Sequence, residues 1–337
     1  MNSEEQFQIP EETSIERVLE ALLDEEQVLD PKHLYQLSDL KPDDLSRLEA
    51  VWTQISVRRR RALMEDLEHL TETDYLLSFE AVFRMAIHDP DDQVRFYAIR
   101  AIEAFDTDDL ISTFLARLEE DESVDVRAVA ASVLGKYVYR GELDKIKDDT
   151  QRKIVDCLLK VVKSDQPGRV RRRALEAVSY SPRDEVHQEI NRAYQREEPS
   201  WRASALFAMG RSFDERYQEK VYAQLRDTAP EVRMEAVRAC GELYLEDAQE
   251  DLLDLLDDVP RVRRVAIWSL SQIGGEGVHQ ALKGLLEMEH LPRDEEELIH
   301  RALDNLAFTE GSVNYSMFNM PVPEEDNGDL PDEDWVM

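Results

Sequence analysis

Apolar residues recur around an arginine at offsets −1, +3, +4 and +7, and the whole set returns six times along the chain. The arginines are Arg95, Arg127, Arg171, Arg202, Arg233 and Arg263. Position −1 is Val94, Val126, Val170, Trp201, Val232 and Val262; position +3 is alanine in every copy, Ala98, Ala130, Ala174, Ala205, Ala236 and Ala266. These offsets mark one stripe of a 3.6-residue helix. Alanine at +3 lets neighbouring helices approach closely. Position +8 is Gly135, Ser179, Gly210, Gly241 and Ser271 in the last five copies, which predicts a tight helix exit there. Between the marked helices lie others with their own stripes, such as Leu110–Leu118, Ile154–Val162 and Val186–Tyr194.

The arginines are spaced by 32, 44, 31, 31 and 30 residues. A unit of about 31 residues holds two short helices, and each pair buries its face only by stacking on its neighbours. The long interval predicts an insertion at Lys136–Asp149. Further helices are expected at Ser14–Gln27, Leu45–Ile55 and Arg58–Leu70. In the last of these Ala62 fits the alanine column and Asp66 falls on a core position, as in a degenerate end unit. At the other end Leu298, Ala302, Leu303 and Leu306 keep the stripe while Ile299 replaces the arginine. The expected fold is all-α: a right-handed α-solenoid of about seven to eight stacked helix pairs. Residues 1–12 read as disordered, 13–70 as N-terminal capping helices, 71–308 as the repeat array and 309–337 as an acidic disordered tail.

The segments Asp125-Val126-Arg127 with Ala130 and Leu134-Gly135, and Pro230-Glu231-Val232-Arg233 with Ala236 and Cys240-Gly241, resemble HEAT repeats, specifically the short phycobilin-lyase type. The resemblance runs from about residue 71 to 308. It implies that the second helix of each pair lines a concave face. It leaves function open, because the repeat serves scaffolds, lyases and other enzymes alike.

Charge sharpens this picture. The net charge is −33, which repels nucleic acid and anionic membranes and favours basic partners at long range. Two cysteines form no disulfide framework, and both Cys157 and Cys240 sit on apolar stripes as small hydrophobes. The start, Met1-Asn2-Ser3-Glu4-Glu5, lacks the apolar run of a signal peptide, so the cytoplasm is the expected location. The seven histidines offer no metal spacing, and Gly274-Gly275-Glu276-Gly277 reads as a turn. No catalytic constellation emerges, and no cofactor is expected. The arginine runs 58–61 and 169–173 lie among acids and read as helix faces or internal ion pairs. The six repeat arginines read as structural, pairing with carboxylates or helix-end carbonyls, with Asp92 and Asp125 at plausible distance.

One stripe departs from the acidic balance. Positions +1, +2 and +5 point away from the apolar stripe and carry five arginines, two glutamates and several aromatics. Its candidate partner-binding residues are Phe96, Arg100, Arg172, Phe207, Met234, Arg238, Arg264 and Trp268. Arginine with aromatics is the composition of an interface centre. The sequence therefore supports a noncatalytic scaffold that binds another protein through its concave face. A chromophore (bilin) lyase or its partner subunit is the alternative that the repeat subtype implies; nucleic-acid binding is disfavoured by charge. Segment 321–337 holds seven acids, no base and Trp335, so it is also a candidate to dock on the positive stripe of its own chain.

Overall fold

The computed structural model describes residues 14–288 and 290–311. All regular structure among them is helical. The chain divides into two compact units between Ala174 and Leu175, inside one helix. The first unit contains α1 (Ile15–Leu23), α2 (Lys32–Tyr35), α3 (Pro42–Trp52), α4 (Val57–Thr73), α5 (Glu80–Ala86), α6 (Asp92–Ala101), α7 (Ile111–Glu120), α8 (Val124–Glu142) and α9 (Asp148–Val162). Helix α10 (Gly168–Val178) spans the division. The second unit contains α11 (Asp184–Tyr194), α12 (Pro199–Arg211), α13 (Gln218–Tyr222), α14 (Pro230–Glu242), α15 (Gln249–Asp254), α16 (Pro260–Ile273), α17 (Val278–Leu285) and α18 (Arg293–Gly311).

Each unit has the α-solenoid build of stacked helix pairs. In the first, α6 packs between α4 and α8, with α5 and α7 beside them. In the second, α12, α14, α16 and α18 form a row, each flanked by its own first helix, from α11 to α17. Proline at the first helical turn starts α3, α12, α14 and α16, where its missing N–H costs nothing. The alanine column is fully buried at all six positions, as are the +4 and +7 columns. Burial of these columns against both neighbouring pairs is what holds each stack.

The repeat arginines tie each pair to the next. Arg95 holds Asp121 through two hydrogen bonds of 2.9 and 2.7 Å and donates to the carbonyls of Asp89 and Pro90. Arg233 repeats this with Asp258, at 2.7 Å twice, and with the carbonyls of Asp227 and Thr228. Arg202 reaches Asp227, Arg263 reaches Glu295, and Arg127 reaches Gln166. The acids also accept backbone N–H groups of their own turns, from Ser123 onto Asp121 and from Ala229 onto Asp227. The ladder is thus a structural clamp, but its acids lie in the following pair: Asp121, Asp227 and Asp258 in the turn between its helices, and Glu295 in the first turn of α18. Asp92 and Asp125 are not its partners; Asp125 instead pairs with Arg169 at 2.6 Å.

Four expectations need correction. Helix α1 ends at Leu23, because the Asp24 side chain accepts the Glu26 N–H and turns the chain. In α4 the register lies one residue later: Arg60 is the ladder arginine, paired with Asp89, Leu63 takes the alanine column, and Ala62 and Asp66 are exposed. The insertion at Lys136–Asp149 forms no separate loop; α8 runs on to Glu142 and α9 starts at Asp148. Finally, the small residues at +8 are not all exits: Ser179 directly follows α10, but Gly135 lies inside α8, and Gly210 and Gly241 lie inside the last turns of α12 and α14. A Cβ on Gly210 would meet Ala239 Cα at 3.0 Å, and one on Gly241 would meet Ser269 Cα at 3.0 Å. They permit close approach of successive second helices. The left-handed turn comes three residues later, at Phe213, Tyr244 and Gly274, with φ of 51°, 52° and 67°. The expected disordered ends fall outside the described residues, except that the backbone of 309–311 continues α18.

Candidate functional site

The stripe at +1, +2 and +5 is less open than the sequence suggests. Met234, Arg238 and Trp268 are buried, at 3%, 7% and 5% exposure. The cause is the row itself: α14 has α12 on one side, α16 on the other and α13 beside it. Trp268 lies against Gly241, so closely that a Cβ there would stand 2.6 Å from its ring. Arg238 donates to Glu235 at 2.9 Å on the same helix. Phe96, Arg100, Arg172, Phe207 and Arg264 stay half-buried, and Arg264 pairs with Asp294 at 3.0 Å.

Two arginine–aromatic clusters result, one in each unit. In the first, Phe96 and Tyr97 meet edge to face at 5.6 Å, and the Arg100 guanidinium lies over both rings at 5.0 and 5.4 Å. Glu68 of α4, buried, accepts from Arg100 Nε and Nη2. Burial raises the Glu68 pKa although Arg100 opposes it, while the bond to Glu68 raises that of Arg100. In the second, Arg211 lies over Phe207 at 4.4 Å and over Tyr180 at 5.5 Å, and Arg238 lies over Phe207 at 5.9 Å. Each such contact is worth about 0.5–2 kcal/mol according to its desolvation, and it fixes a guanidinium without consuming its N–H donors.

Arg211 is the residue the sequence reading missed. It sits at +9, outside the stripe considered, yet one helical turn from Phe207 at +5. Tyr180 and Glu242 occupy the same +9 column of their own repeats, Tyr180 in the turn just past α10 and Glu242 at the end of α14. A buried carboxylate oxygen, Glu242 Oε2, has no hydrogen-bond partner among the described residues. Gly210 makes its space: a Cβ there would stand 2.3 Å from it. Burial pushes the Glu242 carboxyl up to about 7, against the pull of Arg211 and Arg238. A second missed feature is the pair Phe213 and Tyr244, aromatic, 61% exposed and left-handed at the same turn of successive repeats. Only a φ value could have revealed it.

The first arginine run is held by internal carbonyls and ion pairs, and Arg169 of the second pairs with Asp125. Arg59 donates to the carbonyls of Asp24 and Gln27, Arg60 holds Asp89, and Arg61 holds Asp91. Burial pushes the Cys157 thiol up to about 11 and the Cys240 thiol up to about 12. His187 bonds the Tyr217 hydroxyl at 2.8 Å inside the second unit. Among the described residues no three His, Cys, Asp or Glu side chains gather where they could hold a metal ion. None of the described helices is long and apolar enough to cross a membrane.

Stacked helix pairs clamped by a repeated arginine define an α-helical repeat protein. The HEAT-repeat profile matches residues 79–179, 189–271 and 218–300, and the chain belongs to that family. No curated protein matches the sequence. Among solved structures it is similar to the complex of CpcE and CpcF of phycocyanin lyase from Nostoc sp. PCC7120, at 20% identity over 67% of this chain and 94% of that one, with a TM-score of 0.45. It is similar to yeast importin-beta, at 12% identity over 88% of this chain and 46% of that one, with a TM-score of 0.49. It is also similar to human deoxyhypusine hydroxylase, at 15% identity over 77% and 95%, with a TM-score of 0.34. The chain thus spans less than half of importin-beta. At these scores the likenesses assign no activity to it.

Proposed function

We propose that this is a noncatalytic protein-binding scaffold of the cytoplasm, whose second-helix faces receive an acidic segment of another protein. The observation that carries the reading is the placing of Arg211 on Phe207 and Tyr180; Arg100, stacked in the same way on Phe96 and Tyr97, already holds Glu68. Stacked guanidinium groups are preorganised to bind carboxylates in pairs of hydrogen bonds. Such positive points inside a chain of net charge −33 select by local chemistry, because the long-range field works against an acidic partner. The contact residues are Phe96, Arg100, Arg172, Phe207 and Arg264, joined by Tyr180 and Arg211. In the second unit Arg238 also lies over Phe207, and Met234 and Trp268 are buried in the same row of helices. The helices before residue 71 serve as the N-terminal cap.

Capture from an extract of the native host tests this, comparing the wild-type chain with Arg211→Gln and Phe207→Ala. The reading requires that at least one protein held at low salt is lost from both variants while their helical circular dichroism is unchanged. Identical captured sets would refute it. Exposure to candidate bilins tests the lyase alternative through visible absorbance that stays with the protein.

A further inference from the structure

Arg211 and Glu242 are left in complementary want. The guanidinium is held by Phe207 at 4.4 Å and Tyr180 at 5.5 Å, and it makes no hydrogen bond or ion pair among the described residues. Its five N–H donors therefore lack acceptors on those residues. Glu242 Oε2 is buried with no hydrogen-bond partner. The two interact electrostatically without pairing. An unmet donor group beside an unmet buried carboxyl fits one ligand chemistry well, a carboxylate. It would accept hydrogen bonds from Arg211 and from the protonated carboxyl of Glu242, whose pKa burial pushes up to about 7.

We infer that this site of the second unit receives a carboxylate side chain from the chain's own acidic segment 321–337. The inference rests on the proposed binding surface and names its resident occupant. The segment carries seven acids and no base. It follows α18, which belongs to the same unit, and α18, α16, α14 and α12 are successive neighbours. Three helix spacings of about 10 Å make about 30 Å, and the nine residues 312–320 extend over about the same length. Tethering at that distance supplies an effective concentration on the order of 1 mM, so even a site of about 100 µM affinity is mostly filled. An external acidic partner then competes with the segment, and the segment sets a threshold for binding.

The experiment uses a fluorescent peptide of sequence 321–337, titrated at low salt into the chain ending at residue 320, with anisotropy as the readout. Saturable binding is expected. The full-length chain should bind the peptide about tenfold more weakly, by self-competition at that effective concentration. Arg211→Gln in the shortened chain should weaken binding about tenfold, as loss of hydrogen bonds to a charged group requires. Glu242→Gln, which keeps a donor, should retain it. No saturable binding to the shortened chain overturns the inference, and so does equal affinity for the shortened, full-length and Arg211→Gln chains. If the peptide fails while a host protein is still captured through Arg211, the inference falls and the binding surface stands. If Arg211→Gln changes neither, both fall.

Discussion

Replacing Glu242 by glutamine should stabilise the protein in alkaline solution and not in acid. Burial raises the Glu242 pKa from the ordinary 4.5 to about 7, against the opposing charges of Arg211 and Arg238. The folded chain therefore holds this proton more tightly than the unfolded chain does. Its contribution to stability is complete below about pH 4.5, is lost as pH rises towards 7, and then levels off. At 1.36 kcal/mol per pKa unit the difference between 4.5 and about 7 amounts to about 3 kcal/mol. Glutamine cannot ionise, so the variant never suffers this loss. Relative to wild type, Glu242→Gln should change little at pH 4 and gain up to about 3 kcal/mol at pH 8. Urea unfolding followed by circular dichroism across this range measures the difference, and other titrating groups cancel in it. A constant offset reports the new amide; the pH slope alone reports the carboxyl. A flat difference from pH 4 to pH 8, or one that grows on acidification, would refute the reasoning.

Three further changes test the stack. Gly241→Ala should destabilise by about 1–2 kcal/mol, since its Cβ would stand 2.6 Å from the Trp268 ring and 3.0 Å from Ser269 Cα, whereas Gly284→Ala meets nothing within 4 Å and should gain up to about 1 kcal/mol; paired thermal melts compare them. Asp121→Ala should cost about 3–5 kcal/mol in urea unfolding, because it leaves Arg95 buried without its carboxylate. Phe213→Gly and Tyr244→Gly should be neutral or stabilising by up to about 1 kcal/mol in melts, since both side chains are exposed at positive φ, and a loss beyond 1 kcal/mol would show that the rings pack.

The repeat was legible in the sequence because stacking constrains the same positions in every pair. The alanine column, with its apolar companions at −1, +4 and +7, returned as core throughout. The +8 column was read as a chain exit because glycine does both jobs; only the contacts of Gly210 and Gly241 with the next helix separate close approach from a turn. The stripe at +5 was read as open because a lone helix has a far side. In the row, α14 is buried along nearly its whole length, with only Arg233 half-buried between Val232 and Gly241. Glu235 shows the consequence: one sequence position looked like surface, yet it is 9% exposed and bonded to Arg238.

Recognition and stacking place opposite demands on a repeat, and this separates their columns. A stacking position must suit the same neighbour in every copy, so it repeats, as alanine does at +3. A recognition position must differ between copies if the face is to distinguish one partner from another. The +9 column does differ: Lys136, Tyr180, Arg211, Glu242 and Gln272. Tyr180, Arg211, Glu242 and Gln272 lie at or just past the end of the second helix, and Arg211 and Glu242 follow a close approach at +8. Lys136 is spent on the carbonyls of Glu103 and Phe105 at 2.7 and 2.8 Å, which leaves it a structural role. Arg211 instead lies over Tyr180 and interacts electrostatically with Glu242, whose buried Oε2 has no hydrogen-bond partner among the described residues. Exchanging Arg211 and Glu242 keeps the summed charge and the helix propensity almost unchanged. The exchange should abolish binding of the 321–337 peptide while the chain still folds, because the guanidinium then loses its seat on Phe207. Peptide affinity equal to that of the unexchanged chain would show that summed charge, not placement, governs this face.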